Sequence, residues 1–368
     1  MVVEEEVQSD SAVSEAEGEQ VARTLHPARI ILPVLLGVAA VGFLFYKQFD
    51  LEQFRQIRWT GYTLLWILAA LGMLALRHFF AALRLRIITR KVFSWKKYIQ
   101  LIVLWEFSGA LTPSSKGGPV VMLFVLTKEK LQAGRTAATI FYSIIGDSGF
   151  FVFAVPLLLM WYGPRMLFPG MESYQDVGLA SGAFFATYAA MVGYWMVLAA
   201  LLFLRPQLAA RLLHWIAGRR LLRRWSDKIE RTGREFSLAA AEIRSQNWRY
   251  HAGVILSSIG IWTSKFFLIN CLIIAIVPEI PLDGATQAFI YARLVAMFVI
   301  MAFSPTPGGA GLAEVALVNF TGDYMPAGIA LVVALLWRGM AYYGYLLAGA
   351  FVAPAWVAEK IRGAKSPQ

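Results

Sequence analysis

The chain has 368 residues, of which 58% are apolar and only 15% charged, whereas ordinary soluble domains carry about 25% charged residues. This excludes a disordered chain, a disulfide scaffold and an ordinary soluble enzyme, and points to an all-α polytopic membrane protein. The net charge of +11 would suggest nucleic acid in a soluble chain, but here it is first weighed as a bias of Lys and Arg toward the cytoplasmic side.

Residues 1–26 hold seven carboxylates against one arginine, Arg23. They are too polar to build a core, lack the basic start and early apolar stretch of a signal peptide, and read as a disordered cytoplasmic tail. Residues 27–355 form the membrane domain, and 356–368 a second cytoplasmic tail. Apolar runs predict about six full spans, near 28–46, 60–82, 136–161, 179–204, 252–276 and 327–354. Two further apolar regions, 98–126 and 286–320, are broken by TPSSKGGP (112–119) and SPTPGGAG (304–311). The arms on either side have roughly 10 to 19 residues, short of the about 20 a span needs. Irregular backbone at membrane depth is tolerated only where protein or a cavity surrounds it. Both regions therefore read as re-entrant helical hairpins, the alternative being kinked spans or interfacial loops.

The basic residues fix an orientation. With the N-terminus cytoplasmic and each hairpin returning to its own side, 25 Lys and Arg fall on cytoplasmic segments, 4 on external loops and 5 within the membrane. This bias places both termini in the cytoplasm, in a bacterial-type inner membrane, and absorbs most of the +11 without nucleic acid. The first hairpin then enters from the cytoplasm and the second from outside. Such opposed elements mark an inverted repeat, in which broken helices meet near the midplane and form the substrate site. The segment 205–251 carries net +7, with Leu222, Trp225, Ile229, Phe236, Ala240 and Ile243 near helical spacing. It reads either as a basic amphipathic insert on the anionic inner leaflet or as a small solvated helical pair.

The chemistry sits at the breaks. Gly308, Gly309 and Gly311 follow Pro305 and Pro307 and open a new helix; Gly117 and Gly118 precede Pro119, a good first helical residue. A helix start presents unpaired N–H groups and partial positive charge, so an anion such as phosphate is the natural ligand. The candidate phosphate-binding residues are Thr112, Pro113, Lys116, Gly117, Gly118, Pro307, Gly308, Gly309 and Gly311. Alternatively, the glycines only permit tight packing of the hairpin tips. Six ionisable residues lie inside apolar runs: Glu106, Asp147, Lys265, Arg293, Glu314 and Arg338. A charge near the bilayer centre costs at least about 2.5–3.5 kcal/mol, so each needs a partner or a function. They are expected to line a mixed-charge cavity or to pair internally, for example Asp147 or Glu106 with Arg338 or Lys265. Arg77 and His78, near a span end, are expected to snorkel, and Glu314 to complement a helix dipole.

No Walker A, GxSxG or HExxH motif is present, and Ser114 and Ser115 beside Lys116 form a dyad only if tertiary geometry allows. One cysteine, Cys271, and four scattered histidines leave no disulfide or metal cluster. The chain reads as a non-enzyme without cofactor.

At its two breaks the chain resembles the transmembrane domain of lysylphosphatidylglycerol synthases, also called flippase-like domain proteins. The resemblance rests on Thr112, Pro113, Gly117, Gly118, Pro119 and Asp147, then Pro305, Thr306, Pro307, Gly308, Gly309, Gly311, Glu314 and Arg338, and covers about residues 28–355. Two departures stand out. No glutamate separates Gly118 from Pro119, and Val120 and Val121 stand where the family pattern has a basic residue. The resemblance implies movement of lipids or lipid-linked headgroups between leaflets. Fourteen residues follow Pro354, so it is expected to hold without the soluble aminoacyl-transferase domain of larger members. The function expected is binding or translocation of a phospholipid or other phosphate-bearing lipid. The alternatives are secondary transport of a small organic ion and an accessory or enzymatic role in lipid or glycan synthesis. Fitting partners are the lipid itself, a second copy of the chain and a separate lipid-modifying enzyme.

Overall fold

Thr60 and Thr63 exchange reciprocal backbone-to-hydroxyl hydrogen bonds of 3.4 Å and so open the first described helix, α1 (Gly61–Ile88). The structure is a computed structural model that describes residues 57, 59–112, 117–129, 131–173, 179–217, 226–302, 304, 306, 309 and 311–365. The acidic tail and the span expected at 28–46 lie outside them. After α1 come α2 (Trp95–Ala110), α3 (Gly117–Lys128), α4 (Ala133–Tyr162), α5 (Leu179–Ala199), α6 (Pro206–Ala217) and α7 (Ser226–Arg244). The second half holds α8 (Trp248–Ile276), α9 (Gly284–Met301), α10 (Leu312–Phe320), α11 (Ala327–Arg338) and α12 (Gly344–Lys365). Among the described residues the fold is all-helical, as the composition predicts.

Side-chain caps set the helix starts. Asn247 accepts from the Tyr250 amide at 3.0 Å before α8, and Asp283 from the Ala285 and Thr286 amides before α9. The Thr286 amide and hydroxyl hold the exposed Asp283 carboxyl below its ordinary range.

Six helical runs among the described residues are long and apolar enough to cross a membrane: α1, Ala133–Met166, Gly182–Leu204, α8, α9 and Ala327–Lys360. Two sequence expectations change. The first arm of the second broken region, α9, has 18 residues, enough to span by length and composition. This length lies inside the range of roughly 10 to 19 residues read for the arms from the sequence. The last span, expected at 327–354, is a helical run with a π-helical turn, Gly339–Tyr343, between α11 and α12. It continues through Lys365, and Trp356 in the expected tail is buried.

The helix α8 is central: 67% of its most apolar stretch is buried, against 17% for α1, and every residue of its end from Leu268 to Ile276 is enclosed. A helix apolar all round belongs inside. It runs along α1, where small residues permit close approach; a Cβ on Gly260 would meet the Phe80 ring at 2.6 Å. By contrast α1 leaves Leu64, Leu65 and Leu68 more than half exposed, a surface suited to lipid tails.

Each broken region packs as a helix pair: α2 on α3, and α9 on α10. The first pair joins α1 and α12 in a core of Leu101, Met122, Leu126 and Trp356. The second joins α4, α8 and α11 in the largest core. In the 205–251 insert, α7 buries Phe236, Ala240 and Ile243 against the α4 side, and α6 packs on α7. Leu208, Leu212 and Trp215 stay exposed along one stripe of α6. The insert is thus a helical pair whose outer helix keeps an apolar face. Leu222 and Trp225 lie outside the described residues.

Candidate functional site

The tips of the two helix pairs are closed by different chemistry. In the first, the Thr112 hydroxyl accepts from the Gly117 amide at 2.9 Å and donates to the carbonyls of Ser108 and Gly109. It thereby joins the end of α2 to the start of α3. A Cβ on Gly117 would lie 2.2 Å from Thr112, and one on Gly118 3.1 Å from the Trp105 carbonyl. Both glycines therefore admit a close neighbour, the packing role set beside phosphate binding from the sequence. Pro113 and Lys116 lie outside the described residues.

In the second tip, Gly309 and Gly311 have φ of +72° and +83°, a conformation that costs glycine nothing and other residues strain. Glu314 is fully buried. Its Oε2 accepts from the Gly311 amide at 2.8 Å, and its Oε1 lies 3.2 Å from Arg338 Nε. Complementing the helix start is the plainer of the two roles expected of Glu314, and it also brings in the arginine of the last span. Pro307 and Gly308 lie outside the described residues.

Both tips end on one segment. The Tyr342 hydroxyl donates to the Ala110 carbonyl, at the end of α2, at 3.2 Å. The Arg338 guanidinium lies 4.0 Å over the Tyr342 ring and reaches Glu314 at the other tip. One turn on, the Tyr345 hydroxyl accepts from Arg77 at 3.2 Å and lies 3.1 Å from His78 Nδ1. Arg338, Tyr342 and Tyr345 thus come from one short segment, within which the turn at 339–343 departs from α-helical register. The π-helical turn between them is a device common at functional sites.

The buried charges pair differently from the expectation. Glu106 accepts from Arg77 at 2.7 Å. Asp147 takes both Arg84 nitrogens, at 2.6 and 3.0 Å, and the Trp262 indole N–H at 3.0 Å. Neither carboxylate is within ion-pair distance of Arg338 or Lys265. Arg77, expected to snorkel, is buried and donates to Glu106 and Tyr345 instead. Arg84 lies beyond the span expected near 60–82 and so counts with the cytoplasmic cations there, yet it is buried, because α1 runs on to Ile88 and holds it inside. It stands seven residues after Arg77 on the same helix face, and that spacing was the available signal. Arg293 is committed elsewhere, to Asp323 at 2.5 Å and the carbonyls of Phe320 and Arg165.

Lys265, midway along α8, has another environment. Its ammonium lies 4.7 Å from the Trp262 ring centre and 4.5 Å from that of Phe298. Among the described residues no carboxylate comes within 4.0 Å of it. It is close enough to feel Arg77, Glu106, Asp147 and Arg338. These groups form one cluster, with four cations (Arg77, Arg84, Lys265, Arg338) facing three carboxylates (Glu106, Asp147, Glu314).

The model of the family described as the lysylphosphatidylglycerol synthase transmembrane region matches residues 30–349. The chain belongs to this family. The match takes in both tips and every member of the cluster. A protein named UPF0104 membrane protein, from Archaeoglobus fulgidus, is 22% identical over 277 residues, which are 73% of this chain and 80% of that protein. No solved structure matches the chain. The lysylphosphatidylglycerol synthase transmembrane region is an integral membrane unit, in keeping with the six long apolar helices.

Proposed function

We propose that this protein binds a phospholipid or another phosphate-bearing lipid and passes its headgroup between the leaflets of a cytoplasmic membrane. The observation that carries the proposal is the convergence of both tips on Arg338 and Tyr342, beside a charged cluster with one more cation than carboxylates. A polar, net positive interior among apolar helices suits an anionic group that must cross hydrocarbon. In this proposal both broken regions are re-entrant and form an inverted repeat. One half is α1, α2–α3 and α4; the other is α8, α9–α10 and α11–α12. The close pairing of α1 with α8, the matching first members, supports it. Both termini are cytoplasmic, and the tips at Gly117–Gly118 and at Gly309 and Gly311 flank the headgroup. Lys116 and Pro113 belong to the same first tip. No catalytic step is part of the proposal, and covalent lipid chemistry is left to a separate enzyme. Proton-coupled transport of a small ion has weaker support, because Glu106 and Asp147 are each committed to an arginine.

Reconstitution tests this directly. Liposomes with headgroup-labelled lipid should lose inner-leaflet label to an external quencher faster with the protein than without it. Equal rates, together with accumulation of a soluble organic ion, would overturn the lipid assignment. With Cys271 replaced, single cysteines at exposed positions of 84–97 and 205–251 should react only from the cytoplasmic side; external reaction would overturn the orientation.

A further inference from the structure

The lipid-transport proposal leaves open which of the buried cations meets the headgroup. Arg77, Arg84 and Arg338 each have a carboxylate within 3.2 Å, and Arg293 has Asp323. Their charge is spent inside the protein. Lys265 is different in its partners, its residue type and its surroundings. Two aromatic faces hold it, and a ring takes up positive charge without using the N–H donors. An ammonium has three such donors and no fixed geometry, so it meets phosphate as a point charge, while planar guanidinium suits the bidentate pairing that Arg84 makes with Asp147. The residue is half-buried, at the middle of the most buried spanning helix. Trp262 ties it to the cluster, since the ring that faces Lys265 donates its N–H to Asp147.

From this we infer that Lys265 is the residue that recognises the substrate, and that the site selects a lipid whose headgroup carries one net negative charge, a phosphodiester. The inference rests on the proposed lipid transport and deepens it. With three cations of the described cluster neutralised by its three carboxylates, an incoming headgroup meets there one cation without a carboxylate partner among the described residues. A monoanion balances it. A zwitterionic headgroup brings a second cation into a site already surplus in positive charge, and a cationic headgroup is repelled.

The test uses the full chain in liposomes and nanodiscs, with phosphatidylglycerol as monoanion, phosphatidylcholine as zwitterion and a synthetic trimethylammonium lipid as cation. The wild type should move phosphatidylglycerol at least about tenfold faster than the other two. Lys265→Met should lose that preference by lowering the phosphatidylglycerol rate alone, while Lys265→Arg retains most of it. Lys265→Met removes a buried charge and keeps an apolar stem of similar length, so its melting temperature should match or exceed the wild type, which separates loss of recognition from loss of fold. Native mass spectrometry of retained phosphatidylglycerol gives a second readout. If the wild type moves no lipid but retention still depends on Lys265, transport fails and the recognition site stands. If retention and rates are the same in Lys265→Met and wild type, or all three lipids move equally, the inference is overturned.

Discussion

The two helix pairs share a plan and differ in what fastens them. The tip of α2–α3 is closed by neutral groups, the Thr112 hydroxyl and the Tyr342 hydroxyl on the Ala110 carbonyl. Its charged fastenings are Glu106 on α2, which accepts from Arg77 of α1 at 2.7 Å, and, at the base, Glu129, which holds Lys97 at 2.9 Å, Lys360 at 2.8 Å and the Trp356 N–H at 2.7 Å. The α9–α10 pair has charge at both places. Glu314 and Arg338 are buried at the tip, and Arg293 with Asp323 follows α10. A buried ion pair fixes position strongly, because breaking it strands a charge; a hydroxyl contact is exchanged for another at little cost. The second tip is therefore closed by a buried ion pair, and the first by hydroxyl contacts that cost less to exchange.

That contrast sets an order of effects, read by thermal unfolding in one detergent. Removing one partner at the second tip, by Glu314→Gln or Arg338→Met, should cost most, about 3–5 kcal/mol, and the double variant should recover part of the loss. Arg293→Met should cost less, about 1–3 kcal/mol, since half-exposed Asp323 returns to water once freed. At the base of the first pair, Glu129→Gln should cost about 1–2 kcal/mol. Thr112→Val should cost least, about 0.5–1.5 kcal/mol. If Thr112→Val proved as damaging as Glu314→Gln, the contrast between the halves would collapse.

The base contact also carries a pH signature. Burial pushes the Glu129 carboxyl up, but hydrogen bonds from Lys360, Lys97 and Trp356 outweigh it and hold the group below its ordinary range. A carboxylate depressed in the folded state stabilises above its unfolded pKa, and that contribution is lost as pH falls through the folded value. Unfolding temperature should therefore be flat from neutral pH down to the ordinary carboxylate range and fall only below it. The Glu129→Gln variant should lack this part of the acid decline.

Much of this was legible in the sequence for physical reasons. Long apolar runs marked α4, α5, α8 and the last span, because hydrocarbon leaves few other options. Proline and glycine marked both breaks. Glu106, Asp147, Lys265, Glu314 and Arg338 stood out because charge in an apolar run is costly. What sequence did not give was pairing. Asp147 finds Arg84 and Glu106 finds Arg77 because α1 lies between their helices, a fact of packing and not of spacing. Arg84 was passed over because its neighbours look like a helix end. The tyrosines at 342 and 345 fit ordinary membrane composition, and the π-helical turn that sets them beside Arg338 has no signal in the residue spacing.

The account turns on the two tips meeting at the last span, and a double-mutant cycle measures that contact. Tyr342→Phe loosens the first tip and Glu314→Gln the second, with unfolding free energies taken for both single variants and the double. If the tips share the Arg338–Tyr342 segment, the two losses should be non-additive by about 0.5 kcal/mol or more; additivity within about 0.3 kcal/mol would place the tips apart and contradict the site.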